Sequence, residues 1–159
     1  MAVVKMHQVR ATLHKATEYV VQASKTQDGA WVTSYACSAD GYQAASDMLL
    51  LQDEANQIRT VGKPSTVLGL HVIQSFEPGE LDAATAHEIG TKFAEQITGG
   101  DHQWVLATHT DRGHIHNHLV FNPVNMSTLQ RYRTPKNEIF KLRTMSDDLC
   151  RQYGLSVIE

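Results

Sequence analysis

Residues 109–118, with the sequence HTDRGHIHNH, constrain the fold of this chain more than any other segment, because they hold four of its nine histidines. In an extended strand every second side chain points to the same face of the sheet. The alternation of His114, His116 and His118 therefore predicts a strand that presents three imidazoles on one side. Such a density of imidazole also indicates chemistry, whereas an isolated histidine is more often a surface or core residue.

A hairpin is predicted around this segment, with strands over residues 103–108 and 115–122 joined by a tight turn at Asp111-Arg112-Gly113. Three more strands are predicted over residues 3–7, 31–36 and 66–76, the last one after a turn that ends at Pro64. Helical spacing predicts helices over residues 11–22, 42–57 and 137–153, and one more between an Asp82 cap and a Gly99-Gly100 stop. Because hairpin strands are antiparallel, we expect an α+β fold with a central antiparallel sheet of about five strands flanked by helices.

Length and composition set the broad class. The 159 residues, 42% of them apolar, suit one ordinary domain with its own core. The sequence has no apolar run of about 18 residues and no signal-peptide pattern, so we expect no membrane span and a cytoplasmic location. Cys37 and Cys150 lack a CxxC spacing and are predicted to be reduced, partly buried thiols. The net charge of −3 argues against nonspecific coating of nucleic acid, although basic residues collect after residue 130, next to the histidines.

The histidine cluster predicts a metal site. His109 ends the strand before the histidine-rich one, so the hairpin can bring it beside two imidazoles of its neighbour. Three imidazoles can hold a divalent cation and leave coordination positions open, which suits catalysis at a phosphoryl or carbonyl oxygen. Asp111 is predicted either to fix the tautomer of a ligating histidine or simply to form the turn. Imidazole ligands alone leave the metal open among Mn²⁺, Zn²⁺, Ni²⁺ and Co²⁺.

The stretch HTDRGHIHNHLVFNPVN resembles the third motif of relaxases, the mobilisation nucleases of the HUH endonuclease superfamily, and is most similar to the MobP type of Firmicute conjugative and mobilisable elements. ATEYVVQASKT resembles the family's tyrosine helix and Lys-Thr turn, HVIQSFEPGE its strand-turn signature, and DDLCRQYGLSVI its ending. The resemblance covers nearly the whole chain. It implies a ferredoxin-like or RRM-like palm and a single relaxase domain over residues 1–159, which we expect to be the N-terminal part of a longer protein.

The resemblance also implies the site residues and the reaction. The implied residues are Tyr19 as the nucleophile, Asp111 as an assisting residue, and His109, His116 and His118 as ligands of Mg²⁺ or Mn²⁺. His114 is an extra histidine that we expect either to join the metal or to contact DNA. The implied reaction is nicking of one strand of single-stranded or locally melted DNA at an origin of transfer, with accessory relaxosome proteins. A tyrosine nucleophile would leave a 5′-phosphotyrosine adduct and a free 3′ hydroxyl.

Basic residues near these motifs either hold DNA phosphates or are solvated surface residues. They are Lys15 and Lys25 around Tyr19, Arg112 in the hairpin turn, and Arg131, Arg133, Lys136, Lys141 and Arg143 after the hairpin. Tyr132 is expected to be available to stack on an unpaired base. The resemblance adds a DNA-contacting role for His71, Gln74 and Ser75.

Other functions stay open on the sequence alone. A single-tyrosine HUH transposase or replication initiator would place its nucleophile after the histidines, where Tyr153 lies on the last helix, whereas relaxases place it before them, as Tyr19 is. A hydrolase of a small molecule would use the same histidines to activate water. A regulatory or storage module would bind metal without catalysis. A covalent adduct with DNA is expected from a relaxase, a transposase or a replication initiator. It is not expected from a hydrolase of a small molecule or from a metal-binding module.

Overall fold

Five strands and four helices make up the part of the chain that the computed structural model describes, which is residues 2–59, 62 and 65–157. The turn predicted at Pro64 lies outside these residues. The strands are β1 (Val3–Val9), β2 (Val32–Tyr35), β3 (Gly69–Ser75), β4 (Trp104–His109) and β5 (His116–Phe121). The helices are α1 (Leu13–Val20), α2 (Gly41–Gln57), α3 (Ala83–Thr98) and α4 (Glu138–Gln152).

The strands form one antiparallel sheet in the order β1-β3-β5-β4-β2, so β1 and β2 are its edges. This arrangement confirms the predicted α+β fold. The α3 helix begins and ends as predicted, because the Asp82 carboxylate accepts a hydrogen bond from the Thr85 N–H at 2.8 Å and Gly99 takes the left-handed conformation with φ 63°.

Several predicted boundaries were wrong, each for a local physical reason. The β3 strand begins at Gly69 instead of residue 66, because its partner β1 ends at Val9, which pairs with Gly69. The α1 helix begins later than predicted, since Thr12 has a left-handed φ of 55°. Pairing of His109 with His116 leaves residues 110–115 as the connection between β4 and β5. The hairpin turn is therefore wider than predicted, and His114 precedes the strand that it was predicted to share.

Different helices cover the two faces of the sheet. The α3 and α4 helices pack on one face, over a core that includes Val72, Leu106 and Phe121. The α1 and α2 helices pack on the other face, over Val105 and Val120. Because side chains alternate along a strand, the histidines of β4 and β5 lie on the α1 side, and Thr108 and Asn117 on the α3 side.

Two further observations concern the cysteines and the apolar character of the helices. Cys37 and Cys150 are free thiols, and burial raises the pKa of each to about 11, so both stay protonated near neutral pH. None of the described helices combines the length and the apolar character that a membrane span requires.

Candidate active site

One cleft of about 320 Å³ brings together most of the residues that the histidine motif and the tyrosine helix predicted. It lies on the α1 side of the sheet, above β3 and β5 and beside the connection between β4 and β5. Its lining consists of Lys5, Tyr19, Lys25, Ile73, Ser75, His109, Asp111, Arg112, His114, His116 and His118.

Three imidazoles form the histidine end of the cleft. His109 ends β4 and pairs across the hairpin with His116, and His118 follows on the same face of β5. The ring centroids of His109 and His118 lie 4.0 Å apart in a stacked arrangement, and those of His116 and His118 lie 6.1 Å apart. The hairpin thus assembles the predicted set.

Hydrogen bonds orient two of these rings. The His109 Nε2–H donates to the Val20 carbonyl at 2.7 Å, which leaves Nδ1 of that ring as the nitrogen with a lone pair. His118 Nδ1 shares a hydrogen bond of 2.9 Å with His71 Nε2. Asp111 was predicted either to fix the tautomer of a ligating histidine or to form the turn, and for His109 it is the Val20 carbonyl that fixes the tautomer.

Burial keeps the cluster neutral. Desolvation is the main cause that lowers the pKa of His116 to about 4 and of His118 to about 2, and it also lowers the pKa of His109. A neutral imidazole is the form that binds a metal ion, so these residues fit a divalent cation in donor chemistry. In the described part of the chain, however, no three His, Cys, Asp or Glu side chains are arranged to hold a metal ion. Since the Nε2–H of His109 is bonded to Val20, Nδ1 is the nitrogen through which this ring would bind a cation.

Tyr19 lies at the mouth of the cleft with 43% of its surface exposed. Its ring centroid is 5.9 Å from that of His109 and 6.3 Å from that of His118, both in edge-to-face arrangements. The neighbouring residue Val20 is fully buried and its carbonyl binds His109. With Val20 buried, the exposed Tyr19 ring lies next to the imidazoles.

The α1 helix is fixed against α2 at a close backbone contact. The Thr17 hydroxyl donates to the Gly41 carbonyl at 2.6 Å. A Cβ at Gly41 would lie 2.7 Å from the Glu18 Cα, so only glycine allows this approach. The contact holds the tyrosine end of α1 over the sheet.

Lys25 connects the tyrosine to the hairpin. Its ammonium lies 5.1 Å from the centroid of the Tyr19 ring and 3.0 Å from the Asp111 carboxylate. The hydrogen bond from Lys25 is also the main cause that lowers the pKa of Asp111. The Thr110 N–H donates to the Lys25 carbonyl at 2.9 Å, so backbone and side chain both join the two loops. Asp111 thus positions Lys25.

The family model for "Relaxase: MobA/VirD2-like, nuclease domain" matches residues 19–155 of this chain. The chain belongs to this relaxase family. Among curated proteins, the relaxase domain is 42% identical over 98 residues to "Protein rlx" of Staphylococcus aureus, covering 62% of this chain and 30% of that protein. It is 36% identical over 119 residues to the "Group II intron-interrupted relaxase LtrB" of Lactococcus lactis subsp. cremoris, covering 64% of this chain and 21% of that protein. The chain therefore spans less than a third of the length of these relatives.

A solved structure supports the fold. The structure reported as "Molecular Basis of Vancomycin Resistance Transfer in Staphylococcus aureus" matches with a TM-score of 0.58 at 14% identity, covering 99% of this chain and 96% of that one. At this identity the likeness shows the fold alone.

His114 lies beside the cluster, in the connection before β5. Its ring centroid is 4.1 Å from that of His116. It lines the cleft from the side of the loop, so its place in the relaxase domain is compatible with contact to a bound ligand.

Several predicted DNA-binding residues lie away from the cleft. Arg131 is half-buried and donates to the Val67 carbonyl at 2.8 Å, so it supports the loop before β3. Lys15 and Arg133 are exposed and do not line the cleft. Lys136 lies in a separate groove along β1. None of these four lines the cleft, and a role for them in holding DNA phosphates stays a prediction.

Tyr132 and Tyr153 both lie away from the histidine cleft. Tyr132 is not available to stack on a base, because its hydroxyl donates to the buried Glu138 carboxylate and its ring packs on Phe121, 5.1 Å between centroids. That burial and the nearby carboxylate raise the pKa of Tyr132. Tyr153 packs with the Lys92 ammonium 4.9 Å from its ring centroid, on the α3 and α4 side of the sheet. It is thus on the face opposite to the histidines.

The strand-turn motif divides between the two faces of the sheet. Gln74 is 1% exposed and donates to the Ser146 hydroxyl at 2.8 Å, so its predicted DNA contact was wrong. Ser75 lines the cleft and His71 binds His118. Sequence reasoning missed Lys5 and Ile73, and it missed His71 as a partner of His118. The alternation along β3 puts His71, Ile73 and Ser75 on one face, but only the strand order shows which neighbour they meet.

Proposed function

We propose that this relaxase domain nicks one strand of DNA at an origin of transfer to start mobilisation of a plasmid or conjugative element. In this reaction the Tyr19 hydroxyl attacks a phosphodiester, and a 5′-phosphotyrosine adduct and a free 3′ hydroxyl are formed. The observation that carries the proposal is the position of the exposed Tyr19 ring at one cleft. Its centroid lies 5.9 Å from that of His109 and 6.3 Å from that of His118.

The reaction balances without a further reactant. A bond forms between the Tyr19 oxygen and phosphorus, and the bond between phosphorus and the 3′ oxygen breaks. The phenol loses its proton and the departing 3′ oxygen takes one up. The adduct is still a phosphodiester, so a 3′ hydroxyl can later attack it in the reverse direction and release the tyrosine.

We further propose that His109, His116 and His118 hold Mg²⁺ or Mn²⁺, with Zn²⁺, Ni²⁺ or Co²⁺ as substitutes. Their rings, whose pKa values are lowered mainly by desolvation, are neutral near pH 7, which supports this assignment. When bound, the cation supplies positive charge for the nonbridging oxygens of the scissile phosphate. The closeness of Tyr19 to these rings would bring the attacking oxygen to the same phosphate.

The charged residues around the tyrosine have distinct proposed tasks. Lys25 supplies positive charge beside the phenol, and its ion pair with Asp111 keeps it there. Arg112 lines the same cleft and is placed to contact a backbone phosphate. Since a flexible strand can enter a narrow cleft more easily than a duplex, we propose single-stranded or locally melted DNA as the substrate, presented with accessory relaxosome proteins.

The alternative nucleophile Tyr153 is disfavoured by its place on the opposite face of the sheet, against Lys92. The test uses Tyr19→Phe and Tyr153→Phe with end-labelled single-stranded DNA from the origin of the encoding element, and Mn²⁺. We expect a denaturation-resistant protein-DNA species from the unchanged chain and from Tyr153→Phe, and none from Tyr19→Phe. Adducts that persist in Tyr19→Phe and vanish in Tyr153→Phe would overturn the assignment.

The metal proposal has its own test. Excess EDTA should abolish adduct formation, and added Mg²⁺ or Mn²⁺ should restore it. Undiminished adducts in EDTA would contradict metal dependence while leaving the tyrosine assignment intact. A hydrolase of small molecules or a storage module would give no adduct under any of these conditions.

A further inference from the structure

A second groove, of about 500 Å³, runs along the outer edge of the sheet between β1 and the segment of residues 134–143. It lies on β1, an edge strand whose outer side pairs with no other strand among the described residues. Its lining consists of Val4, Lys5, Met6, His7, Gln8, Thr134, Pro135, Lys136, Glu138, Ile139 and Arg143.

Lys5 joins this groove to the active-site cleft, because it lines both. It pairs across β1 and β3 with Ile73, which in turn pairs with His118 on β5, so the three side chains form one row on the same face. Two strand spacings of about 4.8 Å make this row roughly 10 Å long. The row crosses the part of the sheet between the histidines and the β1 edge.

The groove is cationic. Lys5, Lys136 and Arg143 contribute positive charge to its lining. The carboxylate in that lining, Glu138, is only 5% exposed and accepts a hydrogen bond from the Tyr132 hydroxyl, so it is directed away from a ligand. Cationic side chains along a groove attract a polyanion.

We propose that the DNA strand leaves the cleft over Lys5 and continues in the β1 groove, with its phosphates against Lys136 and Arg143. This inference rests on the proposed function, and it adds a binding track that explains why Lys136 lies away from the histidines. An extended peptide could also add to the edge of β1. The three cations and the continuity with the cleft favour a nucleic acid strand over a peptide.

The test measures salt dependence of binding, which counts phosphate contacts. A fluorescent dT20 strand is titrated with the full chain carrying Tyr19→Phe, at several NaCl concentrations. The slope of log Kobs against log[NaCl] is negative, and each lost phosphate contact should decrease its magnitude by about 0.7 for a single strand. We expect that decrease for Lys5→Gln, Lys136→Gln and Arg143→Gln, and recovery in Lys5→Arg.

Lys141→Gln is the matched control. Lys141 is exposed on α4, two residues before Arg143, and it lines neither the groove nor the cleft. Its substitution removes the same charge and should leave the slope unchanged. Equal slopes in Lys141→Gln and the three groove variants would overturn the inference. The same result is expected if the groove binds a peptide instead of DNA.

Failure of this inference can be told apart from failure of the proposed function. Binding of dT20 does not depend on cleavage, whereas the adduct assay depends on Tyr19. Adducts together with unchanged salt slopes would contradict DNA binding in the β1 groove and support the nuclease proposal. Slopes of reduced magnitude without adducts would support DNA binding in the groove and contradict the nicking reaction.

Discussion

Asn117 is the residue that anchors the histidine strand to the other side of the sheet. It lies between His116 and His118, but its side chain points to the α3 face and is 2% exposed. Its Nδ2 donates to the Gln74 side chain at 3.0 Å and to the Ala86 carbonyl at 2.7 Å. Its Oδ1 accepts from the Thr108 hydroxyl at 2.7 Å, a third bond within the same buried network.

Replacement by alanine removes all three hydrogen bonds. A buried hydrogen bond contributes about 1 kcal/mol net, and a partner left unsatisfied costs about 1–3 kcal/mol. Thr108 can turn its hydroxyl to His87 Nδ1, which lies 2.8 Å away, so part of the loss can be recovered. For Asn117→Ala we therefore expect the free energy of unfolding to fall by about 3 kcal/mol.

Urea unfolding followed by circular dichroism measures this change, with the midpoint lowered and the m-value unchanged. Asn137→Ala is the control, because Asn137 is exposed and its side chain makes no capping bond at the start of α4. The control should stay within about 0.5 kcal/mol of the unchanged chain. If Asn117→Ala cost less than about 1 kcal/mol, the network would not anchor β5.

Three further stability predictions use the same unfolding assay. Gly90→Ala should cost about 1–3 kcal/mol, because its Cβ would lie 2.6 Å from the bonded Asn117 Nδ2, and a loss below about 0.5 kcal/mol would mean that Asn117 can move aside. Asp40→Ala removes the side-chain cap of α2 and should cost about 1 kcal/mol, with most of it restored in Asp40→Ser. Tyr132→Phe should cost about 1–3 kcal/mol, since it removes a hydrogen bond to the buried Glu138 carboxylate, and an unchanged midpoint would show that this bond is not needed.

The features that the sequence predicts well are local ones. The hairpin follows from strand alternation around a polar turn, and the ends of α3 follow from a capping aspartate and a glycine. On α1 the helical spacing allows either Tyr19 or Val20 at the buried face, since neighbouring helix positions differ by only about 100°. The structure buries Val20 and exposes Tyr19, because the Val20 side chain meets Val105 and Val120 in the core.

The features that the sequence does not predict are long-range ones. His71 binds His118 from a position 47 residues away, and Lys25 binds Asp111 across 86 residues. Both contacts depend on which strands and loops become neighbours, and strand order is not encoded in periodicity. The basic residues after the hairpin show the same limit, because Arg131 binds backbone while Lys136 faces the β1 groove.

The most direct test of the central claim locates the covalent bond itself. Trypsin cleavage after Lys15 and Lys25 releases residues 16–25, in which Tyr19 is the single tyrosine, whereas Tyr153 falls in a different peptide. After reaction with origin DNA, Mn²⁺ and nuclease digestion, mass spectrometry should find a nucleotide on the peptide of residues 16–25. A nucleotide on the peptide that contains Tyr153, or on none of the tyrosines while DNA is still cut, would contradict Tyr19 as the nucleophile.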